Sequence, residues 1–254
     1  MNIKTLIESA ARIAAESSSL KSELPDDFWR FRALDNEIES LRNMLLAEQR
    51  RQESVKSGSN SAYRACLKLL KRAARPDLEK AWKNEADQLC ACDGYVGIRL
   101  NAPKFSVPTN ESGRRTLDLD SLIDGAKKTA TAVDNLPSIS DLKTYYNSFV
   151  AGFKADHSAS ESKMIKHIHN GKFPCFYRPE NGPYLYVEDL LLVLDILPDA
   201  ELHYAEGFSL RTAVLKSPEG EALVLPIRPN PESEYVMEAD TNSPSLRTGK
   251  MFCA

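Results

Sequence analysis

Little in the sequence would carry the chain into a membrane or out of the cell. Its longest uninterrupted apolar run, Leu190 to Leu194, is far too short to span a bilayer. The opening stretch MNIKTLIESAARIAAESSSL has no long apolar core and carries Glu8, Arg12 and Glu16, so no secretory leader is expected. Cysteine is sparse and odd in number. Cys66, Cys90, Cys92, Cys175 and Cys253 show no framework spacing, and reduced thiols in a cytoplasmic protein are the expectation. A dominant charge is missing as well: the net charge is -3 over 254 residues, so any contact with DNA or RNA has to come from a local patch. Neither common glycine-rich phosphate loop occurs, and there is no nucleophile elbow. His167 and His169 lie near Cys175, and Cys90 and Cys92 lie two apart, yet neither group has the paired ligands around a turn that zinc sites usually show. Asp118, Asp120 and Asp124 read as first-turn charges of a helix. Neither catalysis nor a metal or cofactor is expected.

What is present is an ordinary globular composition, 42% hydrophobic and 27% charged, in a chain long enough to bury a core without cross-links. Residues 1–55 read as two helices. Ile3, Leu6, Ala10 and Ile13 recur at helical spacing, and after a break around Pro25 the residues Phe31, Leu34, Ile38, Leu41 and Leu45 step by three and four as a heptad seam. That seam serves either a helical hairpin closing on itself or oligomerisation through a coiled coil. Ser54 to Ser61 (SVKSGSNS) is polar and reads as a linker. From about Pro229 to Ala254 the chain is polar and proline-punctuated, and reads as a tail that is disordered or laid along the surface.

Between Ser61 and Arg228 two stretches share an order of elements. SAYRACLKLLKRAARP is a helix with a stop at Pro76, followed by three strand-like runs, LEKAWKNE, DQLCACDG and YVGIRLN. PYLYVEDLLLVLDILP is a strand leading into a helix that stops at Pro198, followed by AELHYAE, TAVLKS and EALVLPIR. Each half is a helix followed by an antiparallel meander. A helical insertion, about 103–181, separates them, with helix candidates in TLDLDSLIDGAKKTATAV, SISDLKTYYNSFVAGFKAD and SESKMIKHIHNG, the last ending at Gly171. The expected fold class is α+β, with an N-terminal helical hairpin.

The run LCACDGYVGIRLN, with Asp93 and Gly94 at its turn, the strand ALVLPIR, and EDLLLVLDILPDAELHYAE before it resemble the corresponding parts of a domain of bacterial DNA sliding clamps. Such a domain is itself a doubled helix-plus-meander. The likeness covers two pieces of about forty residues, and departs from the family at Tyr95 and Val96, in the insertion, and in having room for one such domain. It implies a clamp-like α+β domain over residues 61–228 and a non-enzymatic binding role on DNA or a nucleic-acid-processing assembly, with a phage or mobile-element origin and homo-oligomerisation both open. It also implies that Leu225, Pro226, Ile227 and Arg228 border a peptide-binding pocket, whereas read alone they form a strand and a proline stop.

In sliding clamps the helices line the DNA channel, so the first helix matters most. Arg64, Lys68, Lys71 and Arg75 recur at four, three and four, with Arg72 beside them, and this stripe either tracks phosphates or is a solvated helix face. The second helix carries Glu188, Asp189 and Asp195, an acidic face that would repel DNA and suit a protein partner. The alternative function is accordingly a protein-binding inhibitor of a host nucleic-acid machine or defence nuclease, anti-CRISPR-like in kind, using the hairpin and the acidic helix.

Overall fold

The computed structural model describes residues 3–23, 28–110, 117–169, 171–228 and 235–238, without the side chains of 19–31, 168 and 235–238. They divide into two compact units, one within Met1–Tyr63 and Lys104–Ser106, the other within Arg64–Pro103 and Val107–Ala254. The fold is α+β.

In the first unit α1 (Ile3–Glu23) packs along α2 (Phe28–Lys56). The contact face of α1 is small: Ala10 and Ser17, one heptad apart, are both 3% exposed, which lets the helices approach closely. The Ser17 hydroxyl donates to Asp35 Oδ1 at 2.7 Å, pinning the register of the pair. The serine-rich segment expected to be a linker is mostly helix. α2 continues to Lys56 and Ser54 is fully buried, its hydroxyl donating to the Arg51 carbonyl at 2.7 Å. Only a short turn follows, with Gly58 at φ +72°. Tyr63 is buried, donates to the Ala47 carbonyl at 3.3 Å and meets Phe105 edge-on.

The second unit is built on a seven-stranded antiparallel sheet. α3 (Asn60–Lys71) precedes the first meander, β1 (Trp82–Lys83), β2 (Leu89–Cys92) and β3 (Val96–Leu100). The helix ends before Pro76, which instead opens a single 3-10 turn, Pro76–Leu78, where its missing N–H costs nothing. Of the run expected as the first strand, Trp82–Lys83 pairs with β2 and Ala81 makes a single parallel bridge to Thr109. α4 (Leu119–Thr129), β4 (Ala132–Asp134), α5 (Ile139–Asp156), α6 (Ala159–Ile168) and β5 (Cys175–Arg178) make up the insertion, which therefore contributes strands as well as helices. β6 (Leu185–Tyr186) runs straight into α7 (Val187–Ile196), and β7 (Glu201–Tyr204), β8 (Ala213–Ser217) and β9 (Gly220–Val224) form the second meander.

The two meanders join through their last strands. β3 pairs antiparallel with β9, Ile98 opposite Ala222, and the sheet order is β1-β2-β3-β9-β8-β7-β4. Gly220 permits this seam at its end, because a Cβ there would stand 2.9 Å from Leu100 Cα. A smaller sheet places β5 between β6 and β10 (Tyr235–Glu238), β10 running parallel to β5. Part of the segment expected to be a tail, disordered or laid along the surface, is thus a strand.

Alternation decides what covers each face. Cys90, Cys92, Val214 and Leu223 point to one face and pack with Trp82 and with Leu119 and Ile123 of α4. Gly97 seats that helix, since a Cβ there would lie 2.5 Å from Leu119 Cδ1. The opposite face carries Ala91, Ile98, Leu215, Ala222 and Val224, all 0% exposed. α7 packs against β9, β5 and β6, and eight of its ten residues are buried. Burying each of its Leu, Val and Ile side chains contributes roughly 1.5–3 kcal/mol. Among the described residues no helix is long and apolar enough to cross a membrane.

Candidate functional site

α3 is amphipathic by its 3.6-residue period. Ala65, Cys66, Leu69 and Leu70 are at most 6% exposed, while Arg64, Lys68 and Lys71 face outward. These three cations form the site's outer layer. Lys68 stands 3.4 Å from Glu188 Oε1 but keeps 55% of its side chain exposed. Arg75 lies beyond the helix end, at the start of the 3-10 turn, and pairs with Asp77 at 3.3 Å.

Arg72 is not part of the outward stripe. Its side chain is 18% exposed and turns inward, Nη2 lying 2.5 Å from Asp189 Oδ1 and 3.0 Å from Asp93 Oδ2. Lys172 reaches the other oxygen of Asp189 at 2.6 Å, and its Nζ sits 4.8 Å from the ring centres of both Tyr95 and Tyr186. Two cations and two carboxylates, the latter almost fully buried, thereby join α3, the β2–β3 turn, α7 and the segment before β5. Burial tends to lower the Arg72 pKa, but the charges of Asp189 and Asp93 outweigh it and hold the guanidinium above its ordinary value. Burial pushes the Asp93 carboxyl up, against the opposing pull of Arg72.

Asp93 also makes the turn. One carboxylate oxygen accepts from the Tyr95 and Val96 N–H groups at 2.8 and 2.7 Å, and its backbone carbonyl accepts from the Ala74 N–H at 2.9 Å. Gly94 follows at φ +103°. The β2–β3 turn thus captures the chain just after α3, which accounts for the helix ending at Lys71.

The acidic helix is covered rather than presented. α5 lies on α7, where the Tyr146 hydroxyl donates to Glu188 Oε2 at 2.9 Å and Lys143 Nζ meets Asp195 Oδ1 at 2.8 Å. With Asp189 inside the four-charge network, every acidic group of α7 has a partner within the fold.

A second network fixes α4. Arg99 donates to Asp120 at 2.7 Å, to Asp124 at 3.1 Å and to Glu221, while Lys127 reaches Glu221 at 2.6 Å. Burial opposes the charged form of Glu221, yet hydrogen bonds from Lys127 and Arg99 prevail and hold its carboxyl below the usual range. Burial pushes the Cys66 and Cys90 thiols up to about 12, which keeps them protonated. Among the described residues no group of three or more His, Cys, Asp and Glu is placed to hold a metal ion.

Along α2 the heptad seam separates into two columns. Ile38 is 8% exposed and Leu45 half-buried, while Leu34 and Leu41, seven residues apart, are 44% and 47% exposed. Phe31 lies in α2, but its side chain falls outside the described residues. Leu225, Pro226, Ile227 and Arg228 follow β9, which ends at Val224 rather than continuing as a strand to 228. The Leu225 N–H donates to the Tyr95 carbonyl at 2.9 Å and the Ile227 N–H to the Tyr184 carbonyl at 3.0 Å, so the segment is tied down with Leu225 and Arg228 at the surface.

Sequence reasoning missed Lys172 and the roles of Asp93 and Asp189. A signal existed for the lysine, which stands directly before the apolar run from Phe173 to Tyr177, where an unpaired charge would be costly. No protein family matches the sequence, and neither the curated proteins nor the solved structures provide a match to it.

Proposed function

We propose that the chain is a non-enzymatic binding module that contacts DNA, within a nucleic-acid-processing assembly of the cytoplasm. The observation that carries this reading is the outward face of α3, where Arg64, Lys68 and Lys71 line up over a buried apolar face. Such a row suits phosphates by charge and reads no bases. The doubled helix-plus-meander, joined at β3 and β9, supports the sliding-clamp-like reading of the architecture. The covering of α7 by α5 favours contact through one helix over encirclement by two. Duplex binding measured across a salt series should weaken with a log–log slope of roughly −2 to −3 for three phosphate contacts. Changing Arg64, Lys68 and Lys71 together to Glu should abolish it; unchanged binding would remove the proposal. A mass measurement in solution tests clamping, since a ring built from one-domain subunits requires several copies.

A second reading is protein capture through the hairpin, as in an inhibitor of a host nucleic-acid machine. The exposed column of Leu34 and Leu41, with Met44 61% exposed beside it, favours this reading. A specific partner retained by the intact chain and lost with Leu34→Ser and Leu41→Ser would support it.

A further inference from the structure

The end of α5, the whole of α6 and the loop into β5 enclose a cleft of about 800 Å³, the size of a small-ligand site. Its wall carries Lys154, Lys163 and Lys166 with His157 and His167, and no carboxylate lines it. That is a local excess of positive charge in a chain whose net charge is -3. The nearest helix-start acid is occupied: Glu161 accepts from the Ser158 N–H at 2.8 Å and from its hydroxyl at 2.6 Å in a capping box. The remainder of the lining is Ala159, Ser162, Gly171 and Phe173. Phe173 lies at the base, with Lys166 Nζ 4.3 Å and Lys154 Nζ 5.8 Å from its ring centre. His157 is stacked on Phe153 at 4.3 Å with 20° between the planes, and its Nδ1 stands 3.0 Å from the Phe153 carbonyl oxygen, so this ring is held in place.

We infer that this cleft binds single-stranded nucleic acid, its phosphates among the three lysines and a base against the His157 platform. Lysines bind phosphate as point charges, and flat rings accept unpaired bases by stacking, which duplex DNA does not offer. The cleft is a site distinct from the row of cations on α3, so the two separate by substitution.

The test uses the full chain, fluorescence anisotropy with a labelled oligo(dT) and a matched duplex, and three variants. Lys154→Glu with Lys163→Glu should weaken oligo(dT) binding at least tenfold and leave duplex binding unchanged, while Arg64→Glu with Lys71→Glu should do the reverse. His157→Ala should cost about tenfold for oligo(dT), the scale of one lost stacking contact, and leave duplex binding unchanged. Oligo(dT) binding insensitive to the lysine pair overturns the inference without touching the proposal for α3. Displacement of oligo(dT) by inorganic pyrophosphate or by polyglutamate at equal charge concentration also overturns it, reassigning the cleft to free phosphate or to an acidic peptide.

Discussion

α3 and α7 hold equivalent places, each preceding a three-strand meander, yet they serve opposite ends. α3 buries one face and offers the other, with Arg64, Lys68 and Lys71 outward. α7 buries eight of its ten residues and has its acids neutralised from α3, from α5 and from Lys172. The difference originates in the insertion: α5 lies on the second helix, while the first keeps an open side. A doubled motif thus keeps only one open helix face. Charge on a helix is a surface feature only where nothing packs over it.

The largest effect is expected at the four-charge network, which fastens α7 and α3 together. Lys172→Met leaves Asp189 facing Arg72 alone, and Asp189→Leu leaves the buried Lys172 without its carboxylate and Arg72 with Asp93 only. Removing one member of a buried ion cluster typically costs about 3–5 kcal/mol, because the remaining charge is uncompensated. Urea unfolding monitored by circular dichroism should show losses of this size for either variant. A loss below about 1 kcal/mol would mean that the network does not fasten the helices.

Next in size is the apolar face of α7. Leu190 is 0% exposed, and Leu190→Ala should destabilise by roughly 2–5 kcal/mol through lost burial and the cavity left behind. Lys71→Ala, on the open side of α3, should stay within about 0.5 kcal/mol of the parent. Equal effects of the two substitutions would erase the distinction between a buried and a presented helix.

Much of this architecture is legible in the sequence, because its signals are local. The period of α3, the short apolar run Leu89 to Cys92 and the Asp93–Gly94 turn each depend on neighbours within a few residues. The fate of the charges is not legible in the same way. Arg72 looks like one more cation of the α3 stripe, but Asp189 lies 117 residues further along the chain. Glu188 and Asp195 look like a free acidic edge until α5 covers them. The serines of 54–61 resemble a linker by composition, whereas Ser54 satisfies its hydroxyl on the preceding helical turn and lets α2 run on to Lys56. β4 and β10 have only three and four residues, and each exists because a partner strand supplies its hydrogen bonds.

A similarly small effect is expected where the two helices touch at the surface. Lys68 Nζ and Glu188 Oε1 are 3.4 Å apart, the lysine half in solvent and Glu188 also accepting from Tyr146. Solvent screening and the entropy of the long lysine chain limit such a pair to about 0–1 kcal/mol. A double-mutant cycle of Lys68→Ala and Glu188→Gln isolates its coupling from the other contacts of each residue. Coupling within that range, fading as salt is raised, leaves Lys68 free to exchange Glu188 for a phosphate at little cost. A coupling above about 2 kcal/mol would instead bind Lys68 to α7, and the row available for DNA would shrink to Arg64 and Lys71.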